Sequence, residues 1–263
     1  MTQTALITGA SRGIGLALAK VFARENHNLI LVARSTDELK AAQQELSEKH
    51  NVNVVVFSHD LINPEERQQL FEKVKQQNLT VDILVNNAGF GDYGEFASSG
   101  WEKLQGMLML NVVALSHLTH LFLPGMISRG SGKILNLGST AAFQPGPMMA
   151  AYFASKAYVL SFSEAIAAET EGTGVTVTVL CPGPTQSNFG KVSNMDKIAA
   201  VGSLSADKFP TAKEVAEYGY QQLIQGEVVA VHGLLNKFLT FTPRITPRNV
   251  IRQGVKKFMT PKE

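Results

Sequence analysis

The chain has 263 residues, of which 44% are hydrophobic and 17% are charged, a composition that excludes a disordered protein. The formal net charge is only +2 and no broad basic face with interleaved aromatic residues is evident, so we predict no nucleic-acid binding. The single cysteine, Cys181, excludes a disulfide within the chain and suits a reducing compartment.

The N-terminal residues lead directly into a β-branched run at Thr4–Thr8, and no basic region precedes an apolar segment. We therefore expect no signal peptide. No run of 18 or more apolar residues occurs, so no membrane-spanning helix is expected. Together these features predict a cytoplasmic protein.

Short β-branched runs alternate with longer helical patterns along the chain. The predicted strands are Thr4–Thr8, Asn28–Ala33, Val52–Ser58, Val81–Asn86, Lys133–Gly138, Val175–Cys181 and Val228–Val231. The predicted helices cover residues 13–25, 35–49, 64–77, 100–127, 152–171 and 211–225. Near-continuous apolar strands are typical of a parallel sheet covered on both faces. Repeated βαβ units predict an α/β fold with a doubly wound sheet, in one domain over residues 1–263.

Helix start signals support several of these boundaries. The Asn63-Pro64 pair suits an N-cap followed by a first helical residue. Thr211 with Glu214 three residues later forms a capping box, and the Thr246-Pro247 pair opens a last helix in the manner of Asn63-Pro64. The segment 186–210 does not alternate, and we predict that it is a functional insertion, a lid over the substrate.

A glycine-rich turn, Thr8–Gly15 (TGASRGIG), follows the first strand and opens a helix. Glycines allow a tight turn and a close approach of the backbone to a pyrophosphate, which the free N–H groups of the helix N-terminus attract. A tight turn without a ligand is the alternative. The position directly after an N-terminal strand favours the dinucleotide site.

The end of the second strand indicates which dinucleotide binds. An NAD-binding protein usually has an acidic residue there, whereas this chain has Arg34. The guanidinium group matches the oxygens of a 2′-phosphate, and Arg12 in the glycine turn adds a second positive charge. We therefore favour NADP(H) over NAD(H), against the alternative that both arginines are merely exposed. Asp37 and Glu38 suit the first turn of a helix.

Three polar residues form a candidate catalytic group. Tyr152 and Lys156 are four residues apart on a predicted helix and share one face. Ser139 ends the fifth strand, where the crevice of an open α/β sheet lies. A phenol can supply the proton that carbonyl reduction needs, and we expect a nearby ammonium group to lower its pKa. Ser139 can stabilise charge on the substrate oxygen.

The T-G-x-x-x-G-x-G turn, the Asn86–Gly89 sequence (NNAG) and the Ser139, Tyr152 and Lys156 set occur in the order typical of one family. The chain, from Thr4 to about Gly233, resembles the short-chain dehydrogenase/reductase family. The resemblance implies a Rossmann-type domain with a seven-stranded parallel sheet and an NADP(H)-dependent oxidoreductase.

The resemblance also assigns roles to residues. Asp60-Leu61 contacts adenine, NNAG supports the sheet edge near the adenosine ribose, and the segment from Pro182 to Ser187 meets the nicotinamide carboxamide. Asn111 holds a water in a proton relay, and Lys156 binds the nicotinamide ribose. The implied catalytic residues are Asn111, Ser139, Tyr152 and Lys156. The implied cofactor contacts are Gly9, Ser11, Arg12, Gly13, Ile14, Gly15, Arg34, Asp60, Leu61, Asn87, Ala88, Gly89, Tyr152, Lys156, Pro182, Gly183, Thr185 and Ser187.

Three segments are expected to rim a substrate pocket: Phe90–Phe96, Thr140–Met149 and Gln186–Pro210. Their aromatic and methionine side chains favour an apolar carbonyl or alcohol substrate, although packing of the lid would explain them equally well. The aromatic and methionine candidates are Phe90, Phe96, Phe143, Met148, Met149, Phe189 and Met195. No metal site is predicted, and we interpret His117 and His120 as surface or interface residues.

The last 27 residues, 237–263, contain seven basic residues and one acidic residue, a net +6, and are expected to form a solvated basic tail. Ile251, Val255, Phe258 and Met259 form an apolar stripe there. Such a helix suits an anionic membrane surface, its own domain or a neighbouring subunit, and we favour the last two. The family resemblance also implies a homodimer or homotetramer, formed through helices at about 100–127 and 152–171.

The sequence thus supports two functions. The first is an NADP(H)-dependent oxidoreductase that transfers a hydride between nicotinamide and a small-molecule carbonyl or alcohol. The alternative is a non-catalytic NADP(H)-sensing or scaffold protein on the same fold. Such proteins often lose the tyrosine or the lysine, and both are present here, so the enzyme is favoured.

Overall fold

A computed structural model describes residues 2–186 and 209–260. Its seven strands form one parallel sheet in the order β3-β2-β1-β4-β5-β6-β7. The strands are β1 (Thr4–Thr8), β2 (Asn28–Ala33), β3 (Val54–Ser58), β4 (Ile83–Asn86), β5 (Gly132–Leu137), β6 (Val175–Cys181) and β7 (Val229–Val231). The predicted seven-stranded, doubly wound α/β fold is confirmed, with strand ends shifted by at most two residues.

Helices flank the strands in the predicted order. They are α1 (Gly13–Arg24), α2 (Thr36–His50), α3 (Pro64–Gln76), α4 (Trp101–Leu108), α5 (Leu115–Ser128), α6 (Ala150–Glu169), α7 (Ala212–Gln225), α8 (Leu234–Phe241) and α9 (Arg248–Met259). The Asn63 cap and the Thr211–Glu214 capping box are present. The interpretation of Thr246 was wrong, because Pro247 occupies the N-cap of α9 and no side chain caps that helix.

The apolar strands supply both faces of the sheet with core residues. Ile7 and Leu31 pack with Phe22 of α1 on one face. Their neighbours Leu6 and Ile30 belong to the cluster on the other face. Successive side chains of a strand point to opposite faces, so a strand buried on both sides must be apolar at every position.

The predicted helix 100–127 is interrupted by a π-helical segment, Met109–Ala114, between α4 and α5. Trp101–Ser128 is long enough and apolar enough, at a mean hydropathy of 1.5, to cross a membrane. In this fold, Leu118, Phe122 and Met126 pack in the core cluster beneath the sheet. A helix packed in the core of a fold can be as apolar as a membrane span, so composition alone does not separate the two.

Two segments of the C-terminal half were singled out by the sequence analysis. Most of the predicted lid, residues 187–208, lies outside the described residues. The expected basic tail instead contains α8, a 3₁₀ turn at Thr242–Arg244 and α9. Val255 and Met259 of the predicted stripe pack on the domain, as favoured, whereas Phe258 is 53% exposed.

Buried polar side chains link β4 and β5 to the helices. Asn86 Nδ2 donates to Asn136 Oδ1 at 2.9 Å and to Thr119 Oγ1 at 3.1 Å. Asn136 Nδ2 donates in turn to Ser163 Oγ at 2.9 Å. These side chains are at most 3% exposed, so each depends on the others for its hydrogen bonds.

We expect Asn136→Ala to lower the free energy of unfolding by about 2 kcal/mol, because Asn86 loses a buried acceptor and Ser163 a donor. Asn249→Ala, at an exposed position of α9, serves as the control and should change it by less than about 0.5 kcal/mol. Urea unfolding curves measure both. Equal midpoints for the two variants would contradict the role of the network.

Candidate active site

The glycine turn packs too closely to accept other residues. Gly9 and Gly13 have φ of +64° and +58°, in the left-handed region. A Cβ atom on Gly15 would lie 2.2 Å from the Gly9 carbonyl oxygen. No side chain caps the start of α1 at Arg12, so the first N–H groups of this helix are available to an anion.

The NNAG loop supports this turn from the neighbouring strand. Asn87 Nδ2 donates to the carbonyl oxygens of Thr8 and Gly9, at 2.9 and 3.2 Å. The backbone N–H groups of Asn87 and Ala88 both donate to Thr8 Oγ1 at 3.0 Å. The order of strands reverses between β1 and β4, where open α/β sheets bind their ligands.

One arginine, Arg34, follows the end of β2, and a second, Arg12, lies in the glycine turn, as predicted. Arg12 forms a salt bridge of 3.2 Å with Glu38, and Arg34 lies 4.0 Å from the Asp60 carboxylate. Arg34 is 74% exposed, so its guanidinium group remains accessible to a ligand. The turn, the helix N-terminus and these cations fit a dinucleotide, with the arginines placed for a phosphate beyond the glycine turn.

A buried arginine that the sequence analysis missed positions the loop at Asp60-Leu61. Arg67 is 2% exposed and donates to the carbonyl oxygens of Leu61 and Ile62, at 2.7 and 3.0 Å. It also donates to His117 Nδ1 at 3.1 Å. The interpretation of His117 as a surface or interface residue was therefore incomplete. No signal in the sequence distinguishes Arg67 from an exposed helical arginine.

The catalytic candidates meet at the carboxyl end of β5. Tyr152 and Lys156 lie on α6 and are only 8% and 5% exposed. The hydroxyl groups of Ser139 and Tyr152 are hydrogen-bonded. Lys156 Nζ donates to the Leu137 carbonyl oxygen at 2.6 Å and lies 5.9 Å from the centre of the Tyr152 ring.

The expected lowering of the Tyr152 pKa is contradicted. Burial raises the pKa of this phenol to about 12, and the hydrogen bond from Ser139 offsets only part of the effect. Burial also lowers the pKa of Lys156 to about 8. Both shifts favour neutral groups, since desolvation penalises a charge. Burial raises the pKa of the Cys181 thiol too, which fits a buried hydrophobic role and not a nucleophile.

Asn111 lies in the π-helical segment, and its side chain binds protein groups. Its Nδ2 donates to the Phe90 carbonyl oxygen at 2.9 Å and to Ser155 Oγ at 3.1 Å. Its Oδ1 accepts from the Phe90 N–H at 3.1 Å. These three bonds hold the loop after Gly89 against the π-helical segment. The predicted role of Asn111 in holding a water stays a prediction.

The segment after β6 contacts both the Ser139 loop and α8. The Thr140 N–H donates to the Pro182 carbonyl oxygen at 2.9 Å, which joins this segment to the Ser139 loop. The Thr185 hydroxyl donates to the Gly183 carbonyl oxygen at 2.9 Å. A Cβ atom on Gly183 would lie 2.6 Å from Asn236 Nδ2 of α8, a contact that the sequence did not indicate. Ser187 lies outside the described residues.

An apolar cluster forms a wall beside Tyr152. It includes Phe90, Tyr93, Met148 and Met149 of the predicted rim segments, together with residues outside those segments: Leu104, Met107, Phe153, Val255 and Met259. Tyr93 Oη donates to the Met259 carbonyl oxygen at 2.6 Å, which ties the end of α9 to this wall. Phe143 packs instead against the cluster that contains Cys181. Phe189 and Met195 lie outside the described residues.

Comparison with known proteins identifies the family and supports the fold. A family model described as short chain dehydrogenase matches residues 3–197. The ketoacyl reductase HetN of Nostoc sp. is 33% identical over 69% of this chain and 63% of its own length. Hydroxysteroid dehydrogenase-like protein 1 of Gallus gallus is 32% identical over 83% of this chain and 65% of its own length. The chain thus spans less than two thirds of either relative.

A solved structure extends the likeness to nearly the whole chain. A short-chain dehydrogenase from Sphingobium yanoikuyae, solved in complex with NADPH, superposes with a TM-score of 0.82 at 28% identity. The match covers 99% of this chain and 97% of that one. With the family model matching well over half of the residues, the chain belongs to the short-chain dehydrogenase/reductase family.

Proposed function

We propose that this protein is an NADP(H)-dependent oxidoreductase that interconverts an apolar carbonyl compound and its alcohol. One observation carries the proposal. Tyr152 and Lys156 are buried together at the carboxyl end of β5, and the Ser139 hydroxyl is bonded to the phenol. Membership of an oxidoreductase family makes this chemistry the natural use of the arrangement.

In the proposed reduction, the substrate carbonyl oxygen accepts hydrogen bonds from Ser139 and Tyr152. The phenol is neutral at physiological pH because its pKa is raised, so it holds the proton that the oxygen requires. The proton moves from Tyr152 Oη to the substrate oxygen. The Lys156 ammonium group favours the resulting phenolate. The nicotinamide, when bound, supplies the hydride to the carbonyl carbon.

NADP(H) is proposed as the cofactor because cations occupy the end of β2, where NAD-binding proteins carry an acidic residue. Arg34 is mostly exposed there, and Arg12 lies in the glycine turn. The name of the Sphingobium yanoikuyae structure gives NADPH as that protein's ligand. Its likeness to this chain supports the same choice.

An apolar substrate is proposed from the wall beside Tyr152. Met107, Met149 and Phe153 are at most 9% exposed and offer no charged group. The names of the two curated relatives refer to a ketoacyl and a hydroxysteroid compound, both of which join an oxygen function to a large apolar body. An apolar wall next to the catalytic candidates suits such a molecule.

Two further proposals concern the setting of the enzyme. We propose a cytoplasmic location, because the only cysteine is a free thiol. We also propose a homodimer or homotetramer formed through α5 and α6. Tyr158 on α6 is 41% exposed and its hydroxyl group bonds with that of Ser116 on α5, which leaves an amphipathic patch across both helices.

Tyr152→Phe is expected to lower kcat at least about 100-fold, because it removes the proton donor, while NADPH binding persists. Tyr158→Phe, on the exposed side of the same helix, is the matched control and should keep wild-type turnover. NADPH oxidation with a panel of bulky ketones provides the assay. Full turnover by the Tyr152 variant would refute the mechanism, and cofactor binding without turnover by the wild type would favour the sensing or scaffold alternative.

Lys156 is expected to lower the free energy of unfolding, although the proposed catalysis requires it. Its folded-state pKa of about 8 lies below the ordinary 10.5, so its charge opposes folding below pH 8 and this cost disappears as pH rises toward 10.5. At pH 7, Lys156→Met should abolish turnover and raise the free energy of unfolding by about 1 to 2 kcal/mol.

The rise in the free energy of unfolding caused by Lys156→Met should be smaller when urea unfolding is repeated at pH 9.5 without cofactor. Lys40→Met, at an exposed position of α2, controls for the loss of a surface charge and should match the wild type at both pH values. A destabilised Lys156 variant at pH 7 would mean that this lysine is a structural residue.

Arg34→Asp should weaken NADPH binding by about 10- to 100-fold, because a charge-assisted hydrogen bond to the 2′-phosphate is lost and a negative charge is introduced. The affinity for NADH should change by less than about threefold. Lys40→Asp, elsewhere on the same side of β2, provides the control. Fluorescence titration of each protein with both cofactors gives the dissociation constants. Equal losses of affinity for NADPH and NADH would show that Arg34 does not bind the 2′-phosphate.

A further inference from the structure

The exposed apolar side chains are concentrated in one segment. The C-terminal surface comprises α8, the turn Thr242–Arg244, Ile245 and α9. In the described part of the chain, eight of the fifteen exposed large hydrophobic residues belong to it. They are Leu234 (86% exposed), Leu235 (70%), Phe238 (64%), Leu239 (50%), Phe241 (52%), Ile245 (72%), Val250 (58%) and Phe258 (53%). Such a cluster marks an interaction site.

The apolar face of α8 is directed away from its own domain. Thr240 is 7% exposed, and Asn236 packs against Gly183 and donates to the His232 carbonyl oxygen at 2.8 Å. These two positions are one turn apart and anchor the inner face of the helix. Leu235, Phe238 and the other apolar residues of α8 therefore face outward.

The charge of the C-terminal surface has one sign. Residues 234–260 contain six basic residues and no acidic residue, a net +6. All six are exposed. They are Lys237, Arg244, Arg248, Arg252, Lys256 and Lys257. Apolar and cationic side chains thus share one surface.

The combination of apolar and cationic side chains favours one kind of binding partner over another. In a symmetric contact between two copies, the C-terminal surface of one copy would lie against the same surface of the other. Two segments of net charge +6 would then repel each other, and neither contains an acidic residue to compensate. An anionic bilayer offers phosphate groups to the cations and acyl chains to the leucine and phenylalanine side chains. We propose that the C-terminal surface binds peripherally to an anionic lipid membrane.

The fold presents this surface rigidly at the edge of the sheet that carries the catalytic residues. Gly183 after β6 supports α8, and the bond from Tyr93 to Met259 holds the end of α9. Docking through the outer face leaves these two contacts in place. It also places the apolar wall beside Tyr152 on the membrane side of the molecule, since Met259 belongs to both elements.

The test uses the full chain and vesicles of phosphatidylcholine, alone or with 30% phosphatidylglycerol, in a flotation assay. The wild type should bind the anionic vesicles at least about tenfold better than the neutral ones. Leu235→Ser with Phe238→Ser removes apolar contacts from the outer face of α8. Arg244→Glu with Arg248→Glu reverses two charges. Each double variant should lower anionic vesicle binding at least about tenfold.

Two double variants provide matched controls. Ile127→Ser with Ile224→Ser changes exposed apolar residues at the ends of α5 and α7, and Lys40→Glu with Lys49→Glu reverses charges on α2. Both should bind like the wild type. Circular dichroism and ketone reduction in solution confirm that each variant is folded.

Three results would overturn the proposal: no binding by the wild type, equal binding to neutral vesicles, or binding that the C-terminal variants leave unchanged. Analytical ultracentrifugation adds a further discriminating measurement. A wild-type dimer that Leu235→Ser with Phe238→Ser dissociates, with no vesicle binding by either protein, would assign the surface to a second copy of the chain. Failure of vesicle binding does not affect the proposed enzymatic activity, which is measured without lipid.

Discussion

The buried ammonium group of Lys156 is the constraint on which the site depends. A lysine at 5% exposure loses its hydration, and the described structure returns one strong hydrogen bond, from Nζ to the Leu137 carbonyl oxygen. Its surroundings leave little room for change, since a Cβ atom on Gly89 would lie 3.8 Å from Nζ and 2.9 Å from Asn111 Oδ1. The structure therefore holds a desolvated amine close to the Tyr152 ring, and the proposed proton transfer gives a reason for that burial.

Parallel pairing of the strands brings the remaining parts of the site to this cation. Because every carboxyl end lies at one edge, the glycine turn after β1, the NNAG loop after β4 and Ser139 after β5 become neighbours across more than a hundred residues. Side chains then join the loops directly, as Asn87 does with the Gly9 carbonyl oxygen. The glycine turn and the catalytic candidates are consequently parts of one edge joined by hydrogen bonds.

Periodicity and local chemistry sufficed to predict the sheet and most helix starts, whereas the full set of catalytic candidates also needed the family resemblance. The apolar runs of β1 and β2 report burial on both faces, and the Thr211–Glu214 box is formed by neighbours in sequence. The pKa of Tyr152 was predicted in the wrong direction because desolvation depends on the whole fold. The π-helical segment also escaped prediction, since Asn111 bonds to Phe90, 21 residues away.

The C-terminal segment shows why a charge pattern alone misled. Seven basic residues suggested a solvated tail, yet the apolar residues between them divide into two sets with different partners. Val255 and Met259 face the wall beside Tyr152, whereas Phe238 and its neighbours on α8 face outward. The two sets differ only in the positions of their residues around the helices. Contacts such as that of Asn236 with Gly183 determine those positions. Because one segment contributes to both faces, we expect substitutions on its inner side to disturb the wall beside Tyr152 and those on its outer side to leave that wall intact.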